Sequence, residues 1–372
     1  MKEINKKNYL MIFIVTVFLY LICFPKINVN AQSTFDEEIN NINTILDDSS
    51  DGVLSENNIS VSSPEKIMEY SPHKILALLT DKVSENITAP LRLLVLLLSI
   101  TLLSSVTQNM YNGNNMAGIV SVLVSISVLK DPVSECFTKA ADSIEEGGIF
   151  MLGYVPVMSG AMVATGNVTS AGSYNLIVLT VCETAILIAK EFLVPMLSVC
   201  FSLSIVDSVN PGINLSGMIT GIKKSVTVVL GFIMTVFVGL LSIQSIAGGS
   251  VDSLSVKTGK YLVSNLVPVI GGAISDAYAT VYGSLGILKN GIGTAGIIIL
   301  ITVMLPPVIT LFFYRISIYL SMIAADIFAC TYLKKLFADI ESVLGVVISI
   351  VLMFIMMLII CTVIVMKMGA VL

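Results

Sequence analysis

The sequence predicts an all-α protein, a polytopic bundle of membrane-spanning helices. Of its 372 residues, 55% are hydrophobic and only 12% are charged, which is about half the charged fraction of a soluble domain. The mean hydropathy is +0.94, and several apolar runs approach the roughly 20 residues that a helix needs to cross a bilayer. The net charge of −5 argues against general affinity for nucleic acid.

The first 31 residues are typical of a secretory signal peptide. Three lysines open the segment, residues 9–24 are apolar, and Ala31 completes a small-residue cleavage site before Gln32. An uncleaved membrane anchor is the alternative, because this apolar run is nearly long enough to span a bilayer. In either case, the chain from Gln32 onward is expected to begin outside the cytoplasm.

Residues 32–87 form an exposed, acidic and partly disordered N-terminal region. Its first half is rich in Asn, Ser and Asp, which predicts a flexible linker. Its second half spaces apolar residues as a helix does, at Ile67, Tyr70, Ile75, Leu76 and Leu79. The region is therefore either a solvated spacer or a docking segment for a partner outside the membrane.

Residues 88–372 are predicted to be the membrane domain, with polar loops at 130–146 and 248–260. Two apolar runs at 174–189 and 192–206 are separated by a Lys-Glu pair, so they are either two short spans or one long interrupted helix. The other expected spans are residues 91–106, 116–129, 226–247, 292–313, 316–332 and 343–366.

The distribution of lysines predicts the orientation of these spans. Basic loop residues favour the cytoplasmic side of a membrane. If every segment crosses, the Lys223–Lys224 and Lys334–Lys335 pairs both fall inside, and the acidic stretch 130–146 falls outside.

Two segments combine proline and glycine in a way that is unusual for a helix facing lipid. Residues 154–161 read YVPVMSGA, and residues 266–273 read LVPVIGGA. Proline removes a backbone donor and glycine exposes the backbone, which a bilayer tolerates only against protein or a water-filled cavity. We expect these segments to break helices, either spanning or re-entering the membrane. The candidate helix-break residues are Pro156, Gly160, Pro268, Gly271, Gly272, Pro306 and Pro307.

The offset of 112 residues between these two segments recurs along the chain. Pro195 falls on Pro307, and Lys223 falls on Lys335. Several markers at one offset predict a parallel internal duplication, an arrangement from which many membrane transport proteins are built. Chance similarity within a low-complexity apolar sequence is the alternative. The predicted units are residues 116–224 and 228–335, followed by a final span at 343–366.

Three carboxylates lie in apolar runs: Glu183, Asp276 and Asp326. An unpaired ionisable group inside a bilayer costs a few kcal/mol or more. Each is therefore a candidate for lining a polar pathway or binding an ion. The alternative is a position near a membrane surface, or an ion pair with a basic residue. The bases considered for such pairs are Lys190, Lys289 and Arg315.

No sequence motif predicts catalysis. The single histidine, His73, belongs to the exposed acidic region, and neither a phosphate-binding loop nor a Gly-x-Ser-x-Gly elbow is present. The six cysteines lack metal-ligand spacing and are interpreted as small buried hydrophobic residues. We therefore expect no enzyme activity, no cofactor and no metal site.

Two stretches of the second half carry a family resemblance. They are LVPVIGGAISDAYATVYGSLGILKNGIGTAGIIIL at residues 266–300 and the span around Leu305-Pro306-Pro307. Together with the signal peptide, the acidic segment and the polytopic body, they resemble the stage III sporulation protein AE family of endospore-forming bacteria. The similarity covers roughly residues 75–372 and is most specific at 262–333.

The resemblance implies a function within a multi-protein complex of the mother cell. Other stage III sporulation A-operon membrane proteins are its expected partners, and forespore protein Q is an indirect one. The complex would be a channel or secretion-like apparatus that spans the space between the two membranes around the forespore. This chain would be its membrane platform or export core in the mother-cell membrane. Energy would come from a separate ATPase or a gradient. A stand-alone secondary transporter for a small solute or ion is the alternative.

Overall fold

The computed structural model describes residues 87–110, 115–209, 212–266 and 271–367, and their side chains except at 109, 110, 115, 245–288, 290, 291, 295 and 367. This part of the chain is helical and contains no strand, which confirms the all-α prediction. Its helices are α1 (Thr88–Met110), α2 (Asn115–Ala164), α3 (Val168–Ile188), α4 (Val194–Val209), α5 (Ser216–Leu266), α6 (Gly271–Ile327) and α7 (Thr331–Lys367).

Six stretches of the described residues are long and apolar enough to cross a membrane, which supports the prediction of a membrane bundle. One of them runs from Val168 to Val209, because a π-helical turn at Ala189–Leu193 joins α3 to α4 without a break. A π turn absorbs one extra residue within a helix. Here it lies directly before Pro195, whose ring would clash with the carbonyl four residues earlier in a regular helix. The alternative of one long interrupted helix is therefore the correct one.

The predicted loops at 130–146 and 248–260 are wrong, because both stretches lie inside helices, in α2 and α5 respectively. The prediction took charge as a loop signal, but charges spaced along a helix can stabilise it. Lys139 and Glu135, four residues apart, form such an ion pair at 2.9 Å.

The expected helix breaks at Pro156, Gly160, Pro306 and Pro307 are also wrong, since α2 and α6 continue through them. A proline in a helix removes one hydrogen bond, which packing on both sides can offset. Such packing is present, with Val155, Val157, Met304 and Val308 all buried.

The second Pro-Gly segment is described only in part. Helix α5 is described as far as Leu266, and the description of α6 begins at Gly271. Pro268 lies outside the described residues.

Two tight turns reverse the chain between long helices. After α2, Gly166 takes a φ of 75°, and the amide of Asn167 donates to the carbonyl of Met162 at 2.9 Å. After α6, Ala329 takes a φ of 56°, and the amide of Cys330 donates to the carbonyl of Ala325 at 2.8 Å. Both are Schellman-type ends, in which the left-handed position normally belongs to glycine. Ala329 is therefore the more strained of the two turn residues.

Charged side chains divide the helices into two apolar layers. Helix α2 has 50 residues and is roughly 75 Å long, more than twice the roughly 30 Å core of a bilayer. We define the upper layer as residues 147–164, 168–188, 226–244, 292–311 and 345–366. We define the lower layer as residues 88–108, 116–129 and 316–327.

Contacts between helices fix the upper layer. At its far end, the Gln244 side-chain amide donates to the carbonyl of Ser170 at 3.2 Å. In its middle, Gly296 lies directly against the ring of Tyr154, so closely that a Cβ would collide with it. The upper segments have 18 to 22 residues each, or roughly 27–33 Å of helix. Each is therefore about as long as one bilayer core is thick.

The lower layer is held by a different set of contacts. The Ser317 hydroxyl donates to the carbonyl of Pro90 at 2.9 Å, and Tyr332 packs against Gly118. Helix α1 is long enough to span a bilayer, but the lower segments of α2 and α6 have only 14 and 12 residues. Those two are too short to cross the hydrocarbon core.

Candidate functional site: a charged layer inside the bundle

Charged side chains of α2, the π turn, α4, α5, α6 and α7 form ion pairs and hydrogen bonds between helices, and we call this set the charged layer. Asp326 and Lys334 form a further, exposed pair between α6 and α7 outside it. The members of the charged layer are Glu135, Lys139, Glu145, Lys190, Asp207, Lys223, Arg315, Lys335, Asp339 and Glu341.

Asp207, near the end of α4, is the most buried acid of this layer, with 0% of its side chain exposed. Its Oδ1 accepts the amide of Leu215 at 2.7 Å, and its Oδ2 accepts the hydroxyl of Ser216 at 3.0 Å. The ammonium of Lys335 completes the set, 2.9 Å from Oδ2. Because a buried carboxylate is tolerated only when its lone pairs are used, these contacts tie the α4–α5 connection to α7.

Lys335 makes a second contact that strengthens this link. Its Nζ also donates to the backbone carbonyl of Asp207 at 3.2 Å. One ammonium therefore holds both the side chain and the main chain at the end of α4. Such charge-assisted hydrogen bonds are stronger than neutral ones.

Lys223 and Asp339 continue the cluster on its α5 side. Lys223 donates to the hydroxyl of Ser342 at 2.7 Å, which links α5 to α7. One carboxylate oxygen of Asp339 is buried without a hydrogen-bond partner among the described groups. Two acids and two lysines thus share this cluster, with α7 as its common element.

Arg315 joins α6 to α7 on another side of the layer. Its Nε and Nη2 lie 2.7 and 2.6 Å from the same oxygen of Glu341. The guanidinium also lies over Gly345, where a Cβ would come within 3.1 Å of it. A side chain at position 345 would therefore require the guanidinium to shift by a few tenths of an ångström.

Helix α2 contributes two further contacts. Glu145 forms an ion pair with Lys190 of the π turn, and the Tyr314 hydroxyl donates to Glu135 at 3.4 Å. The stretch 130–146, which was predicted to lie on the opposite side of the membrane from Lys223, belongs instead to the same charged layer. The stretch is helical and not a loop, and the orientation of the bundle in the membrane stays a prediction.

The model of the stage III sporulation protein AE family matches residues 56–369 of this chain. The chain belongs to this family. The predicted resemblance is thereby confirmed.

A curated relative gives the same description. Stage III sporulation protein AE of Bacillus subtilis (strain 168) is 22% identical to the chain over 231 residues, which is 60% of this chain. The matched stretch spans about 58% of the length of that relative. No solved structure matches the chain.

Two of the three acids singled out from the sequence, Glu183 and Asp326, lie outside the charged layer of this family member. Glu183 is exposed on α3, and Asp326, at the end of α6, pairs with Lys334 at 2.7 Å. The alternative of an ion pair is therefore correct for Asp326, although its base is Lys334. Asp276 lies in α6, but its side chain is outside the described set.

Sequence reasoning missed Asp207, Asp339 and Glu341. The search took acids from the middle of apolar runs, whereas Asp207 lies at the end of one, just before an Asn-Pro-Gly sequence. The available signal was the pair Lys223 and Lys335, which the 112-residue offset aligned. Both lysines enter this cluster.

The charged layer pairs acidic side chains with basic ones. No group of three or more His, Cys, Asp or Glu that could hold a metal occurs among the described residues. Five cysteines are buried and free. In the part of the chain that the structure describes, the layer joins α2, the π turn, α4, α5, α6 and α7 by ion pairs and hydrogen bonds.

Proposed function

We propose that the chain is the membrane platform of a multi-protein sporulation complex rather than a protein that works alone. The observation that carries this proposal is the second apolar layer. The upper layer matches one bilayer in thickness, and the lower layer extends the bundle beyond it. A lower layer outside the hydrocarbon core must be covered by protein, because apolar surface is unfavourable in water.

Exposed apolar side chains of the lower layer support this requirement. Leu123 on α2 is 49% exposed, and Tyr319 and Leu320 on α6 are 46% and 42% exposed. Large contiguous apolar patches usually mark interaction surfaces. The short lower segments cannot bury these faces in lipid by spanning the membrane, so partner subunits are the better cover.

Family membership suggests who those partners are. We propose the other stage III sporulation A-operon membrane proteins as direct partners and forespore protein Q as an indirect one. The complex would act as a channel or secretion-like apparatus, with this chain as platform or export core in the mother-cell membrane. Its N-terminal region would lie outside the cytoplasm. The chain itself would catalyse no reaction, and a separate ATPase or a gradient would supply energy.

A stand-alone transporter is less well supported by the geometry. Glu183 is exposed on α3, and Asp326 is satisfied by Lys334. These two acids do not converge on a common polar path within the described residues. The side chains of the charged layer do lie close together, but ion pairs among them neutralise most of their charge.

The test is affinity purification from sporulating cells, with a tag placed between Gln32 and Ser62. The wild-type chain is expected to recover the other complex subunits at a stable ratio. Leu320→Glu, which places a charge on the lower-layer face, should lower that recovery several-fold. Thr138→Glu is the matched control, because it adds the same charge to an exposed position of the charged layer.

Recovery of the wild-type chain alone, from cells that make the other subunits, would contradict the platform. Flux measurements on Asp276→Asn and Glu183→Gln would then test the transporter, which predicts loss of transport in at least one of them.

A further inference from the structure

The part of α7 that lies in the charged layer carries three polar residues in line. Lys335, Asp339 and Ser342 are spaced four and three residues apart, which puts them on one side of the helix. Lys335 forms its ion pair with Asp207 of α4 at 2.9 Å. The hydroxyl of Ser342 accepts a hydrogen bond from the ammonium of Lys223 of α5 at 2.7 Å. Asp339 lies between these two contacts and takes part in neither.

One carboxylate oxygen of Asp339 lacks the contacts that an ionised group requires. It is buried and has no hydrogen-bond partner among the described groups. A buried carboxylate that keeps its charge needs partners for its lone pairs, and without them its ionised form is strongly destabilised. A bound proton removes the charge and with it most of this cost.

Few charged groups face Asp339, and two of them are already engaged. Asp207 of α4 and Lys335 of α7 lie near enough to act on its charge, but they are paired with each other. Lys223 of α5 is also near, and its described hydrogen bond goes to a hydroxyl.

Helices α6 and α2, which also pack against α7, direct their charges to other partners. Arg315 of α6 pairs with Glu341, and Glu135 of α2 pairs with Lys139 of the same helix. Among the described groups, Lys223 is therefore the cation that faces Asp339 without being paired to another carboxylate.

The contact that Lys223 makes supports a neutral Asp339. An ammonium forms a stronger contact with a carboxylate than with a hydroxyl, because both partners of the ion pair are charged. Lys223 nevertheless donates to Ser342, and the ion pairs of the described residues do not include one between Lys223 and Asp339. This arrangement is the one expected beside a carboxyl group that carries its proton.

We propose that Asp339 is a proton-binding site of the charged layer and that Lys223 moves from Ser342 to Asp339 when the proton leaves. On release, the O–H bond of the carboxyl group breaks, its electron pair stays on the oxygen and the proton passes to water. The new carboxylate then attracts the ammonium, and the contact between α5 and α7 shifts by about one turn of α7. The proposal is independent of the platform function, because it concerns one carboxyl group and not the outer faces of the bundle.

Infrared difference spectroscopy of the full chain, in vesicles of its native lipids, tests the proposal. A protonated carboxyl group has a carbonyl stretching band that a carboxylate lacks. We expect this band in the wild-type chain at neutral pH and its loss in Asp339→Asn. Asp326→Asn is the matched control and should leave the band unchanged, because that acid is exposed and paired with Lys334.

Two further variants test the exchange of partners by Lys223. Lys223→Met removes a positive charge that favours the ionised form, so the band should persist to a proton concentration at least about tenfold lower. Ser342→Ala removes the hydroxyl that holds Lys223, which frees the ammonium for Asp339, so the band should disappear at a higher proton concentration. A purely structural role of these two residues would not shift the titration of Asp339 in opposite directions.

Two results would overturn the proposal. Absence of the band from the wild-type chain at neutral pH would show that Asp339 is ionised there, and a band that persists in Asp339→Asn would belong to another carboxyl group. Should Asp339→Asn prevent recovery of folded protein, Ser342→Ala decides, since an unchanged titration of the band in that variant would contradict the exchange of partners.

Discussion

Lys334 and Lys335 are neighbours on α7, yet their ammonium groups meet two very different carboxylates. Lys334 pairs with Asp326, whose side chain is 61% exposed, and Lys335 pairs with Asp207, whose side chain is 0% exposed. The two distances, 2.7 and 2.9 Å, are nearly equal. Distance therefore does not distinguish the pairs, but burial and the number of further partners do.

The difference shows where this bundle depends on charge. An exposed ion pair contributes little, because water solvates both partners nearly as well. A buried carboxylate that loses its cation retains its full desolvation cost. Asp207 also fixes the start of α5 through Leu215 and Ser216. The inner pair is therefore a structural centre, and the outer pair is a surface feature.

Replacing the two lysines separately gives the largest expected contrast. Lys335→Ala should lower the free energy of unfolding by about 3–5 kcal/mol, because it leaves Asp207 buried without its cation. Lys334→Ala should change it by less than about 1 kcal/mol. Thermal unfolding of both variants in the same detergent measures the difference. Equal losses of stability would remove the distinction between the inner and outer pairs.

A double-mutant cycle sharpens this result. Asp207→Asn keeps an acceptor for the Leu215 amide but removes the charge, so it should partly rescue Lys335→Ala. We expect a coupling free energy of about 1–3 kcal/mol between positions 207 and 335. The cycle between positions 326 and 334 is the control, with an expected coupling below about 0.5 kcal/mol. A coupling near zero at the inner pair would show that Lys335 acts through packing alone.

The sequence was sufficient for part of this picture. Composition and apolar runs predicted helices and a membrane bundle, and the 112-residue offset aligned Lys223 with Lys335. Neither property identifies partners, because Asp207 and Lys335 are 128 residues apart in the chain. Asp326 was preferred to Asp207 for its place in an apolar run, and only tertiary structure shows which acid is buried.

Helix continuity was the other part that sequence reasoning could not supply. Charges at 130–146 and prolines at 156, 306 and 307 are local signals of loops and breaks. In this bundle, ion pairs between helices and packing on both sides of the prolines outweigh those signals. The predicted signal peptide stays a prediction, since residues 1–86 lie outside the described residues. The predicted duplication also stays a prediction, because no observation tests it.

Two glycines of the upper layer allow the same comparison between a buried and an exposed position. Gly296→Ala places a methyl group against the ring of Tyr154, and overpacking of this kind costs about 1–3 kcal/mol. Gly231→Ala, on the open face of α5 with no atom near its Cβ position, should stabilise its helix by about 0.5–1 kcal/mol. Opposite signs are expected in thermal unfolding. Destabilisation by both changes would mean that the α5 face is covered by a partner.

The two Schellman-type turns give the smallest expected effects. Ala329→Gly relieves a left-handed backbone conformation and should stabilise the protein by up to about 1 kcal/mol. Gly166→Ala should destabilise it by about 1 kcal/mol for the same reason. Midpoints of thermal unfolding, compared in one buffer, measure both. A loss of stability in Ala329→Gly would show that the Cβ of Ala329 contributes packing that exceeds its strain.

The central claim is that only the upper layer faces lipid and that protein covers the lower one. Spin labels at Leu320 in the lower layer and Leu352 in the upper layer, 42% and 43% exposed, test it in membranes from sporulating cells. Leu352 should be accessible to oxygen and protected from a polar nickel reagent, as lipid-facing sites are. Leu320 should be protected from both. A lipid-like pattern at Leu320, equal to that at Leu352, would contradict the claim and place both layers in the bilayer.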